Sequence, residues 1–512
     1  MCGSLVDSFT GKFLMNTMLS WIDVTVVITY MAMMLGVGFY VYRKAPSFEE
    51  FVVAGRSMTT PVLVCTLAST YYGLEDLFGT SEFAYNDGVV AYFGYSGLSL
   101  SIFLFAALVL AKRLRRENFI SLPEILERQY GRESGLLGAV ASFAYSIPAL
   151  SLFALGRVCE VTFGIDAWIG ALVLGAIGLT YTLMGGLLAV AITDAIQFVL
   201  MMTTLAIGMV LLMGDVGGFA AVESFAPEGY FSPLGAMPFW LLIAYVATLL
   251  SVLVDPGFYQ RIFAARSGRQ ARNAILIAIA LWLAYDWLVT AGGMLAKAAV
   301  HQGVLPADLH SNDALLSAMI LALPVGLVGV FLAGVLATAM STMDSYSLVA
   351  GTNLSYDIYR PLRNPNATDR ELIRYTKIGI VVAWLAGFSL AFVFDHIMAL
   401  WVFMATGLTS TVLVPIMAGL FWKGKKTPLA GTLSCATGLV ATILFYVVIP
   451  LLGVENEIYG TYIWSFSIAG VSFDVWQEYA LYFTLPMSFL GFLVGNLLGE
   501  ESRPTPDKEV SA

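Results

Sequence analysis

An apolar run long enough to cross a bilayer contains the stretch Leu67 to Glu82, which reads LASTYYGLEDLFGTSE. It carries Ser69, Thr70, Tyr71 and Tyr72, then Gly73, then Glu75 and Asp76 side by side. A carboxylate at the centre of a spanning helix costs about 2.5 kcal/mol or more on insertion scales. Two adjacent carboxylates cannot both face lipid. The economical reading is that they face a wet cavity, beside a helix loosened at Gly73, where freed carbonyls and hydroxyls can hold an ion. The competing reading is a soluble core helix with a polar edge.

Composition decides between them. The 512 residues are 59% hydrophobic and 12% charged, and the mean hydropathy is +0.81. Soluble domains are about 25% charged, so this is the composition of a polytopic membrane protein, and 1–512 reads as a single membrane transport domain. Cys2, Cys65, Cys159 and Cys435 are scattered and show no disulfide framework or metal spacing. The first twenty residues lack a basic start, an apolar centre and a small-residue cleavage site, so no cleaved signal peptide is expected. Gly419 to Lys426 almost spells a phosphate-binding loop, but it lacks Ser or Thr at 426 and follows a spanning helix. His301, His310 and His396 are far apart in sequence and suggest neither a zinc site nor a catalytic one. No enzymatic activity is expected.

Apolar length predicts thirteen spans, at about 21–42, 59–86, 89–111, 135–163, 165–184, 187–213, 236–262, 273–299, 324–358, 375–394, 398–422, 428–450 and 479–499. With the N-terminus outside, basic clusters follow the first, third, seventh, ninth and eleventh spans and fall in the cytoplasm. Arg56, Arg113, Arg261, Arg363 and Lys425 are examples, whereas acids such as Asp215, Asp308, Glu455 and Asp474 fall outside. That asymmetry follows the positive-inside rule. It predicts a multi-pass protein of the plasma (inner) membrane with a cytoplasmic C-terminus.

Spans two to six (59–213) and seven to eleven (236–422) form two halves of five helices. Five is odd, so the halves are inverted. The first helix of each half is interrupted, at Gly73-Leu74-Glu75-Asp76 and at Val254-Asp255-Pro256-Gly257, where Pro256 removes a backbone donor. Paired interruptions at matching positions point to a transporter binding site. The first helix and loop (21–58) and the last two helices (428–499) are then peripheral, and 500–512 is a cytoplasmic tail.

Gly185-Gly186-Leu187-Leu188-Ala189-Val190-Ala191-Ile192-Thr193-Asp194-Ala195-Ile196-Gln197 resembles the signature of the sodium:solute symporters, relatives of the sodium/glucose, sodium/proline and sodium/sialic acid symporters. Ala54-Gly55-Arg56-Ser57, Gln260-Arg261 with Ala264-Ala265-Arg266-Ser267, and Gly419-Leu420-Phe421-Trp422-Lys423 resemble that family too, and the match covers about residues 20 to 450. The resemblance implies an all-α, five-plus-five inverted-repeat (LeuT-like) fold and sodium-coupled uptake by alternating access. It implies a main Na+ site at the carbonyls of Ser69, Tyr72 and Thr338 and the hydroxyls of Ser341 and Thr342. Sodium is a hard cation and takes oxygen ligands, as other hard cations do. Thr338, Ser341, Thr342 and Ser345 share one helix face, although a small-residue packing face would look the same. In some relatives a second site uses the Asp of the Thr-Asp pair with hydroxyls one turn past the main site. Here that set is Asp194, Asp344 and Ser345, two carboxylates that cannot both stay ionised at close range without a cation or a proton.

Sugar-transporting relatives have Glu-Gln where this chain has Glu75-Asp76, and Asn-Gln where it has Asp255-Pro256. The pocket therefore looks more acidic than a sugar site, with Asp286 and Glu160 adding to it. Candidate solute contacts are Tyr71, Glu75, Asp76, Arg157 and Asp255. Arg157 lies one turn before Glu160 and reads more readily as an internal ion pair than as an anion clamp. The expectation is a sodium-coupled symporter of a small polar solute, cationic or zwitterionic, with no organic cofactor. The alternatives are proton coupling or a sensor that kept the fold, and the short tail argues against the sensor. The expected partners are the small-molecule solute and the lipid bilayer, without nucleic acid, and the chain is expected to work as a monomer.

Overall fold

The computed structural model describes residues 19–41, 47–71, 73–235, 237–394, 396–456, 460–468 and 470–500. Among these, eleven helices are long and apolar enough to cross a membrane. The difference from thirteen has two sources. The expected span 59–86 is broken into Thr60–Tyr71 and Leu74–Asp87, each shorter than a crossing. The expected spans 165–184 and 187–213 lie within a single helical run, Ala167–Val216, of 50 residues. At 1.5 Å per residue that run would be roughly 75 Å long, more than twice the hydrocarbon thickness of about 30 Å. Gly186 divides it. Its φ of 59° and ψ of −163° are accessible essentially only to glycine, and a Cβ there would stand 2.3 Å from the Phe51 carbonyl oxygen. With these places counted as one broken span and two whole ones, each of the thirteen expected segments has a helical counterpart.

The second interruption is built differently. Helix Phe239–Thr248 tightens through Leu249–Val254, and Asp255 is extended (φ −67°, ψ 119°) before helix Pro256–Ala264 begins. A residue before proline is pushed out of helical geometry, and proline at the first helical position loses no needed donor. Asp255 completes the start by accepting from the Phe258 N–H at 2.6 Å.

Helix Leu327–Thr352 runs through the middle of the molecule. In the most apolar window of the helical run Leu327–Leu362 that it opens, 89% of residues are buried, against 22% for Pro428–Leu452 and 33% for Trp21–Tyr40. A helix covered all round is a core element, and this one packs against both halves of the Gly186 run, Thr60–Tyr71 and Asp369–Leu390. The other two stand at the edge.

The expected loop 450–479 contains a three-stranded antiparallel sheet: β1 Val454–Asn456, β2 Thr461–Ile468 and β3 Val471–Trp476, with Ile463 opposite both Val454 and Trp476. The signal was present in the sequence. Tyr462, Trp464, Phe466 and Ile468 alternate with other residues between Gly460 and Gly470, a strand pattern bounded by turn residues.

Candidate functional site

Thr70, Tyr71 and Asp76 at the first interruption, and Leu249, Ser251 and Val252 just ahead of the second, line a central cavity of about 150 Å³. Among the described residues two carboxylates line it. Asp76 comes from the first turn of Leu74–Asp87, with one oxygen accepting from the Thr80 hydroxyl at 2.6 Å. Asp286 comes from helix Gly268–His301 and is buried. Aromatic rings make much of the remaining wall. Tyr71, Phe103 and Trp282 form one cluster with centroids 4.4 to 5.4 Å apart, and Tyr95, Tyr145, Tyr346 and Trp401 line the same space. Among the described residues no lysine, arginine or histidine lines it. A cavity of carboxylates and aromatic faces without a fixed cation attracts positive charge through both Coulomb and cation–π forces.

Next to this cavity the break leaves backbone oxygens beside hydroxyls of the central helix. Ser341 Oγ donates to the carbonyls of Ser69 and Thr338, each at 2.9 Å. Thr342 Oγ1 donates to the Thr70 carbonyl at 3.1 Å. Ser69, Thr338, Ser341 and Thr342 are all buried, and Thr342 also lines the cavity. The Ser69 hydroxyl is buried with no hydrogen-bond partner among the described residues. Closely spaced, neutral oxygens with one left over suit a hard monovalent cation. Tyr72, expected to supply another carbonyl, lies outside the described residues, and so does the side chain of Glu75.

The remaining expected residues fall elsewhere. Asp255 is fully buried, and its second oxygen accepts from Tyr145 at 3.0 Å and Tyr346 at 2.8 Å. It therefore holds two rings of the cavity wall and does not itself face the cavity. Arg157 is not at the central cavity. Its guanidinium is shared between Asp313 and Glu160, the latter at 2.7 Å, and it lines a different cavity of about 380 Å³ with His310 and His396. Those two rings, far apart in sequence, stand 4.9 Å apart, and His396 Nδ1 is 2.5 Å from Glu82.

Asp194 and Ser345 both face the Arg261 guanidinium, whereas Asp344 is turned to Thr182. Asp194 accepts from Thr66 at 2.5 Å, and Asp344 accepts from Thr182 at 2.5 Å. Ser345 is engaged by Thr70 and by Arg261. Arg261, counted from sequence among the cytoplasmic basic residues, is 1% exposed and sits inside the helix bundle. The sequence signal for that was its place in the apolar run 239–264, six residues past Asp255. The wall aromatics Trp282, Trp401 and Tyr346 carried no comparable signal, because apolar spans are full of rings that merely pack.

The model of the sodium:solute symporter family matches residues 51–436, about three quarters of the chain. The chain belongs to the sodium:solute symporter family. It is a multi-pass membrane transporter of the sodium-coupled symport class and not an enzyme. Among its relatives, the sodium/glucose cotransporter of Vibrio parahaemolyticus is 27% identical over 83% of this chain and 84% of its own. The high-affinity choline transporter 1 of Caenorhabditis elegans is 24% identical over 83% of this chain and 77% of its own. A sodium/proline symporter of Staphylococcus aureus is 25% identical over 86% and 89%. In structure, the substrate-bound outward-open state of a Na+-coupled sialic acid symporter aligns with a TM-score of 0.76 at 17% identity, covering 95% of this chain and all of its own. The nucleobase-cation-symport-1 transporter Mhp1 in a closed conformation aligns at 0.51 with 14% identity, covering 88% and 94%. These likenesses give the chain the five-plus-five inverted-repeat fold.

Proposed function

We propose that this symporter imports a small organic cation together with sodium. One observation carries the reading: the central cavity pairs Asp76 and Asp286 with a wall of aromatic rings and no basic side chain among the described residues. A quaternary or protonated amine gains from both features. A sugar would leave buried carboxylates uncompensated, which is costly. A zwitterion would need a counter-charge for its carboxylate that the described lining lacks. Among the relatives, one is named for choline, one for proline and one for glucose, so the choice rests on this cavity.

For the cation, the proposal assigns the carbonyls of Ser69, Tyr72 and Thr338 and the hydroxyls of Ser341 and Thr342. A bound Na+ would supply positive charge between the broken helix and the central helix, and with it the drive of its own gradient. Thr342 belongs to both the oxygen cluster and the cavity wall. Thr342 thus offers a short physical link between ion and solute. At 100 mV each imported charge contributes about 2.3 kcal/mol, roughly fifty-fold accumulation. We assign the N-terminus to the outside and the C-terminus to the cytoplasm, on the basic-cluster argument.

The test is fluorescence of Trp282 and Trp401 in purified protein, titrated with small organic cations, zwitterions and sugars in sodium or in potassium. Saturable quenching by cations, stronger in sodium, is the expected result. Quenching by sugars or zwitterions alone would overturn the choice of solute class.

A further inference from the structure

Helix Asp369–Leu390 begins, in the orientation proposed above, at the cytoplasmic surface. Its first turns carry Arg370, Arg374 and Lys377, which line a groove of about 1060 Å³ beside Leu183 of the Gly186 run. The groove is far larger than the central cavity. Arg370 and Arg374 are exposed, and among the described residues neither has an ion-pair or hydrogen-bond partner. Lys377 is half-buried, with its ammonium 5.9 Å from the centre of the Phe51 ring. Among the described residues one acid lines the groove, Glu371, whose oxygens already accept from Tyr359 and, at 3.0 Å, from Asn364. Three cations against one engaged acid leave the groove positive.

The same helix face then changes character within one turn. After Arg374 it continues through Ile378, Val382 and Leu385, which are 42%, 42% and 56% exposed. From Arg374 to Leu385 the helix rises roughly 16 Å. That is about half the hydrocarbon thickness of ~30 Å, the depth of one leaflet. A soluble anion would meet the arginines and leave the apolar stripe uncovered. A zwitterionic lipid would cover the stripe but bring its own cation against the arginines. An anionic phospholipid satisfies both parts. Its phosphate accepts charge-assisted hydrogen bonds from guanidinium groups, and its acyl chain lies on aliphatic side chains. Basic pockets between helices on the cytoplasmic side hold headgroups of this kind.

We infer that this groove binds one anionic phospholipid of the inner leaflet, with its phosphate at Arg370 and Arg374 and an acyl chain along Ile378, Val382 and Leu385. The choice of leaflet rests on the proposed orientation, and the binding does not. Helix Asp369–Leu390 packs on the central helix that carries Ser341 and Thr342, so the lipid braces a neighbour of the proposed sodium site and touches no solute.

Native mass spectrometry of the purified full chain in detergent tests it in either orientation. The chain is titrated with dioleoyl phosphatidylglycerol, dioleoyl phosphatidylcholine or both. One phosphatidylglycerol should be held about tenfold or more tighter than phosphatidylcholine, and tighter than any further phosphatidylglycerol. Arg370→Gln with Arg374→Gln should bring the two lipids within about twofold of each other. Lys423→Gln with Lys425→Gln removes the same charge from another loop and should leave the preference intact. Excess inorganic phosphate should not displace the lipid. Equal affinity for both lipids in wild type, or a preference that survives in the 370/374 variant, would overturn the inference. So would an equal loss in the 423/425 variant, which would show attraction by the whole basic surface. Displacement by phosphate would show a free-anion site and overturn it too. If the 370/374 variant is not recovered folded, the lipid preference and the phosphate competition of wild type decide.

Discussion

Ser341→Ala removes one oxygen from the proposed sodium site and little else. The Ser341 hydroxyl is wholly buried and donates to the Ser69 and Thr338 carbonyls at 2.9 Å. Neither bond is part of the helix ladder, and alanine is the best helix former, so helix Leu327–Thr352 should persist. Loss of a neutral buried hydrogen bond costs about 1 kcal/mol of stability. Toward a bound cation the loss is larger. Taking the value of a hydrogen bond to a charged group, about 1.5–3 kcal/mol, half-saturating sodium should rise roughly 10- to 150-fold. The assay is sodium-dependent thermal stability of purified protein, repeated as sodium-dependent uptake in proteoliposomes. Saturating sodium should restore the wild-type rate, which a misfolded variant could not do. Thr342→Ala should act in the same direction, and the pair need not be additive because both hydroxyls approach the Thr338 carbonyl. A double variant with half-saturating sodium within twofold of wild type would refute the site.

Three further outcomes follow from the geometry. Asp76→Asn and Asp286→Asn should each weaken binding of an organic cation by about tenfold or more, measured by tryptophan quenching, with sodium affinity changed far less; unaltered solute affinity in both would remove the acidic-cavity argument. Gly186→Ala should destabilise the fold, because it adds about 1–3 kcal/mol of backbone strain and a Cβ 2.3 Å from the Phe51 carbonyl oxygen; a wild-type melting temperature would contradict the described turn. Cysteines replacing Lys425 and Ser472 should be labelled by an impermeant reagent from the cytoplasmic and the outer side respectively, and the reverse pattern would invert the topology.

The two interruptions were legible because each breaks a strong rule: adjacent acids inside an apolar run, and an Asp-Pro-Gly inside another. The hydroxyl face at 338, 341, 342 and 345 was legible from its spacing. What could not be read was direction. Asp255 carries the same charge as Asp76, yet a helix start and two tyrosines consume its oxygens. Arg157 looked like an anion clamp or an ion pair, and Asp313, over 150 residues away, makes it a pair. Arg261 looked like one more cytoplasmic charge at a span's end. Its side chain runs into the bundle because Thr70 and Ser345, from two distant segments, offer the acceptors there. Partners this remote in sequence leave no local pattern.

The central claim is that sodium entry drives uptake of an organic cation through this chain. Its most direct test is accumulation of a labelled panel of small organic cations, zwitterions and sugars in proteoliposomes under an inward sodium gradient with the interior negative. An organic cation should accumulate above its equilibrium distribution, and accumulation should collapse when potassium replaces sodium outside at the same potential. Equal accumulation in potassium, or accumulation driven by a proton gradient alone, would contradict the account.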